Sequence, residues 1–106
     1  MSKVLDVTDA TVEDFIKSNP NGVLIFKASW CGPCKAMAPV FDELSEANES
    51  IAFGRIDAQT ELETTLKYEV RSIPAMIFFK DGQIDDKKVG IMSKAALQDK
   101  IDTLKS

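Results

Sequence analysis

Apolar residues recur along this chain in two rhythms, a helical one and a continuous or alternating one, and the switches between them mark its elements. Val4, Leu5 and Val7 predict a short first strand. Thr8 reads as the N-cap of a helix with Asp9 in its first turn, where a carboxylate faces the positive end of the helix dipole. Val12, Phe15 and Ile16 then give that helix one apolar face, and Asn19-Pro20-Asn21-Gly22 stops it. Val23 to Phe26 is a continuous apolar run, as a central strand covered on both faces requires. A second helix follows Cys31 and continues to about Asn48, with Met37, Phe41 and Leu44 inward. Pro39 lies inside it, removes a backbone donor and is expected to bend it.

Ile51 to Ile56 predicts another interior strand, ending at Asp57. Thr60 and Glu63 have the spacing of a capping box and open a short helix through Leu66. After the break at Arg71-Ser72-Ile73-Pro74 comes the apolar strand 76–79, then Asp81-Gly82, a strong hairpin signal. The polar stretch Gln83 to Lys88 suits a sheet edge, where charge discourages further pairing. Gly90 ends it, Ser93 caps a last helix, and Leu97, Ile101 and Leu104 face that helix inward. The order β-α-β-α-β-α-β-β-α requires parallel strands with helical crossovers, then an antiparallel hairpin. The expected architecture is α/β: one mixed sheet between helices, one domain over residues 1–106.

Composition narrows the function. With 106 residues there is room for one core, and 44% hydrophobic with 28% charged residues is a globular balance. Scattered basic residues and a net charge of −4 leave no nucleic-acid footprint. No stretch reaches the roughly 18–20 apolar residues of a membrane span. Residues 1–9 lack the apolar core of a signal peptide, so the expected location is the cytoplasm, with a removed leader left open.

The candidate chemistry sits in Ala28-Ser29-Trp30-Cys31-Gly32-Pro33-Cys34-Lys35, which contains both cysteines and the one tryptophan. A bond between cysteines three positions apart constrains little of the unfolded chain, so a structural disulfide is a poor explanation. With no histidine, a zinc site would need ligands from a second chain. Redox exchange fits better. At a helix start, free N–H groups and the dipole favour a thiolate at Cys31, Cys34 can donate to it, and Lys35 adds positive charge. Lowering a thiol from about 8.5 to about 7 raises its thiolate fraction at neutral pH from roughly 3% to roughly half. Gly32 permits the tight turn and Pro33 is pre-formed for the first helical turn. Cys31, nearer the loop, is expected to attack, and Cys34, one turn in and more buried, to resolve. A pair of inert core cysteines is the plain alternative; the Gly-Pro insert, the strand-to-helix junction and Trp30 weigh against it.

These residues resemble the thioredoxin family. Trp30-Cys31-Gly32-Pro33-Cys34-Lys35 matches its active-site motif, and Pro39, Ile73-Pro74, Asp81-Gly82 and Gly90 fall in place over nearly the whole chain. The resemblance implies a three-layer α/β/α thioredoxin-like fold with a central five-stranded mixed sheet flanked by four helices. It implies a protein-disulfide reductase with no cofactor beyond a redox-active Cys31–Cys34 disulfide and no metal. Its partners would be disulfide-containing substrate proteins and an electron donor of the thioredoxin-reductase type. Nucleic acid and membrane are not expected as partners, and the chain is expected to be a monomer. It further implies a cis Pro74 and a shallow apolar groove of Trp30, Ile73, Pro74, Val89, Gly90 and Ile91.

Two departures from the family pattern involve three positions. Ile25 stands where relatives carry a buried Asp, and Phe53 where its Lys partner sits; losing both avoids an unpaired buried charge. In relatives that acid helps deprotonate the resolving thiol, so here water or the Cys31 sulfur is expected to serve Cys34. Lys27 replaces a Trp and is expected to pair with Asp57. Three alternatives stay open: an oxidase or isomerase of the same chemistry, a binding subunit using the same surface, and a two-thiol metal site.

Overall fold

Val23, Leu24, Ile25 and Phe26 lie in the strand that the whole molecule is built around. In the computed structural model, which describes residues 2–105, they occupy the middle of β2 (Gly22–Lys27) and are all buried. A strand buried on both faces cannot alternate polar and apolar residues, which is why this run is continuous. The other elements are β1 (Leu5–Asp6), α1 (Val12–Ser18), α2 (Gly32–Ala47), β3 (Ala52–Asp57), α3 (Leu62–Lys67), β4 (Ala75–Lys80), β5 (Gln83–Val89) and α4 (Lys94–Lys105). The sheet order is β1-β3-β2-β4-β5. β2 runs parallel to β3, from Gly22 opposite Ala52 to Lys27 opposite Asp57, and antiparallel to β4. The five-stranded mixed sheet and four helices are those expected.

Alternate side chains of β2 feed two cores. Val23 and Ile25 point to the face covered by Met37, Phe41 and Leu44 of α2 and Leu97, Ile101 and Leu104 of α4. Leu24 and Phe26 point to the opposite face, against Val12 and Phe15 of α1 and the half-buried Tyr68 after α3. Phe41 and Phe53 meet edge to face, 5.0 Å between ring centroids, an arrangement aromatic quadrupoles favour.

At the hairpin, Asp81 and Gly82 both have positive φ, 54° and 80°, the backbone that a two-residue turn between twisted strands demands. β5 is an exposed edge of the sheet, and the Ser93 hydroxyl accepts from the Ala96 N–H to start α4.

Two expected caps are corrected. Helix α1 begins at Val12 with Thr11 at its N-cap, not at Thr8; the Thr8 N–H instead donates to the Thr11 hydroxyl at 2.9 Å. Nor does the Thr60–Glu63 capping box form, since Thr60 donates to the Glu61 carboxylate. The cap of α3 comes from Asp9, whose Oδ1 accepts from the Thr64 N–H at 2.8 Å and the Thr64 hydroxyl at 2.6 Å. A carboxylate from the β1–α1 loop reaches α3 because both elements lie on one face of the sheet. β1 is also shorter than the apolar pattern suggests, though Val7 continues the pairing by donating to the Arg55 carbonyl.

Candidate active site

β2 ends at Lys27, and the chain turns through Ala28, Ser29 and Trp30 before α2 begins. The Cys31 N–H donates back to the Ala28 carbonyl at 3.1 Å, which closes the turn and leaves Cys31 extended at the N-cap. There its Sγ accepts the N–H of Cys34 at 3.1 Å. A sulfur thus occupies the place that a Ser or Asp oxygen usually takes at a helix start, among unpaired N–H groups and the positive end of the dipole. Pro33 in the first turn gives up a donor the helix would not have used. Cys31 and Cys34 are joined as a disulfide, with Cα atoms 5.2 Å apart. Exchange chemistry needs this proximity, and the same Cys34 N–H would stabilise a Cys31 thiolate once the bond opens.

The expected difference in burial between the two cysteines is not found. Cys31 is 3% exposed and Cys34 5%, both packed with Ala28 and with half-buried Ile73 laid against them. Loop position suggested an open Cys31, but the chain around Ile73 folds over it.

Ile73-Pro74 is a cis bond, as the resemblance implies, and Pro74 is buried. The β4–β5 ladder sets Val89 opposite Ala75, and the Gly90 N–H donates to the Pro74 carbonyl at 2.8 Å. Gly90 has φ +95°, which a side chain would disfavour. Residues 73–74 and 89–91 are thereby brought side by side. Trp30, Val89 and Ile91 are 67%, 57% and 62% exposed, so these large apolar side chains lie at the surface. Lys87 of β5 ties this strand to the end of α3, its ammonium donating to the carbonyls of Tyr68 at 3.2 Å and Glu69 at 2.6 Å.

Behind the disulfide is a cleft of about 290 Å³. Its apolar wall includes Ile25, Ala38, Phe41 and Cys34, while Lys27, Lys35, Asp42 and Arg55 bring charge to it. Cys31 does not line it. Lys27 pairs with Asp57 at 3.8 Å, as expected, and Arg55 with Asp6 at 2.6 Å. Phe53 belongs to the core and does not line the cleft, so of the Ile25–Phe53 pair only Ile25 shares the cleft with Cys34. Arg55, opposite Ile25 in the ladder, was missed by sequence reasoning. Its signal was the two-residue period, which puts it on the same face as Phe53. Among the described residues no cluster of three or more His, Cys, Asp or Glu side chains could hold a metal ion, and no helix is long and apolar enough to cross a membrane.

The chain is similar to known proteins over most of its length. The thioredoxin family model matches residues 3–103. A thioredoxin from Staphylococcus aureus is 42% identical over 100 residues, 93% of this chain and 95% of the relative. One from Mycoplasmoides gallisepticum is 37% identical over 90 residues, 85% and 90% of the two chains. Among solved structures, a mutant thioredoxin from Halobacterium salinarum superposes with a TM-score of 0.93 at 30% identity, covering 98% of this chain and 92% of its own.

Proposed function

The chain belongs to the thioredoxin family and is a thiol-disulfide oxidoreductase that reduces protein disulfides, and we propose that Cys31 attacks and Cys34 resolves. The observation that carries this assignment is the Cys34 N–H donating to the Cys31 sulfur at the start of α2. Negative charge on Cys31 is favoured there, and only the thiolate is nucleophilic.

The Cys31 thiolate attacks one sulfur of the substrate disulfide, forming a mixed disulfide and releasing the first substrate thiolate, which takes a proton from solvent. Cys34 loses its proton, attacks the Cys31 sulfur and releases the second substrate thiol. Two electrons leave the protein, and the Cys31–Cys34 bond is formed. Exposed Trp30, Val89 and Ile91, with Ile73, cis Pro74 and Gly90, form the groove that receives an extended substrate segment. Gly32 and Pro33 set the turn, and Lys35 adds positive charge beside it.

Family membership implies protein disulfides as substrates and a reductase as electron donor. We assign the donor to the thioredoxin-reductase type, the protein to the cytoplasm and its working form to a monomer.

The test compares two variants, reduced and mixed with a disulfide-bonded protein such as insulin. Cys34→Ser should accumulate a mixed disulfide through Cys31, and Cys31→Ser should neither form one nor reduce the substrate. An adduct on Cys34 in the Cys31→Ser protein, with none in Cys34→Ser, would reverse the assignment.

A further inference from the structure

The resolving step needs Cys34 to lose a proton, and the structure limits where that proton can go. In the mixed disulfide Cys31 carries the substrate sulfur, so its own sulfur is no longer a base. Ile25 on β2 and Phe41 on α2 are apolar residues that line the cleft together with Cys34. Asp57 and Asp6 stand outside that space, paired with Lys27 at 3.8 Å and Arg55 at 2.6 Å; the charged groups that line it are Lys27 from β2, Lys35 and Asp42 from α2, and Arg55 from β3. Three are cations and cannot accept a proton. Asp42 is eight residues along the helix, roughly 12 Å of rise from Cys34, and its Oδ1 accepts from the Ser2 hydroxyl at 2.6 Å. From the other side of the disulfide Ile73 packs, with no titratable atom.

The cleft itself reaches Cys34. At about 290 Å³ it has room for several waters, and exposed Ser29, Lys35 and Ala38 stand along it, so it opens to solvent. We propose that this cleft is the proton exit of the resolving step: water entering past Ala38 takes the Cys34 proton and passes it to bulk solvent. The cations around it favour the thiolate left behind. Substrate thus approaches from the Trp30 side and the proton leaves from the Ile25 side. This rests on Cys34 being the resolving thiol.

The test uses the reduced full-length protein and dithiobis(nitrobenzoate), whose two coloured thiolates leave in separable phases. The first phase depends on reagent concentration and reports Cys31 attack; the second does not and reports Cys34 resolution. Ala38→Leu, an exposed helical substitution that narrows the cleft, should leave the first phase unchanged and slow the second about tenfold. Ala47→Leu, the same change on the same helix away from the cleft, should slow neither. Imidazole, small enough to enter, should speed the second phase of the unmodified protein, and a bulky morpholine buffer at the same pH should not. A second phase indifferent to both Ala38→Leu and imidazole would overturn the proposal. Slowing by Asp42→Asn would also overturn it, in favour of that carboxylate. Absence of the first phase would instead defeat the assignment of Cys31.

Discussion

Asp9 and Thr64 are 55 residues apart in the chain, yet both the amide and the hydroxyl of Thr64 donate to one carboxylate oxygen of Asp9. The contact is reciprocal in outline, since the Asp9 N–H donates to Glu61 at 2.9 Å. A helix of only six residues has little stability of its own, so an external cap matters more to α3 than to a long helix.

Asp9→Ala should lower the melting temperature at neutral pH by several degrees. The Thr64 hydroxyl, against a smaller opposing effect of burial and helped by the amides of Thr64 and Glu63, holds the Asp9 carboxyl below its ordinary 3.8. Its folded pKa is therefore depressed, so the stabilisation is complete above about 3.8 and is lost as pH falls through the lowered value. Melting both proteins across that range should show the gap between them closing in acid; a gap that stays constant would mean the charge is irrelevant.

Lys87 holds the end of α3 against the strand that leads to Gly90. Lys87→Met should raise KM for a disulfide-bonded protein several-fold, near the factor of about five that one lost hydrogen bond of ~1 kcal/mol gives. The rate with dithiobis(nitrobenzoate), which needs no extended groove, should hardly change. Equal loss on both substrates would argue against a role in shaping the groove.

Ile25→Asp places a carboxylate on the wall of the Cys34 cleft. Burial should raise its pKa, so resolution of the mixed disulfide should speed up as pH rises through that value, visible at neutral pH in the second thiolate phase. The same change should cost about 3 kcal/mol or more in denaturant titrations, from lost packing and a buried acid. No change in the resolution rate would count against solvent as the present acceptor.

The Lys27–Asp57 pair spans 3.8 Å with both side chains about one-third exposed. A double-mutant cycle should give a coupling of about 0.2–1 kcal/mol that shrinks as salt is added. Zero coupling at low salt would remove the pair from any account of the site.

The parts of the fold legible in the sequence share one property: their signals are local. The run 23–26, the Asp81-Gly82 turn and the Leu97, Ile101, Leu104 stripe each act within a few residues, and each element stands where they put it. Thr8 and Thr60 misled for the same reason. Both carry local capping patterns, but Thr11 and the distant Asp9 take those positions once α1 and α3 pack on the same face. At the site, Cys31 and Cys34 were readable because spacing alone brings them together. Their equal burial was not, since it depends on Ile73, forty-two residues beyond Cys31.

By itself the sequence determined the order of elements, the polar edge at β5 and a redox pair at the start of α2, because backbone propensity, side-chain period and thiol spacing act over one or two turns. Only the tertiary structure decided the strand order, the joining of Ile73-Pro74 to Val89–Ile91, and the cleft that opens onto Cys34 and not Cys31. Those features depend on which faces meet when the sheet is covered, and Ile25, Ala38 and Arg55 become neighbours only then.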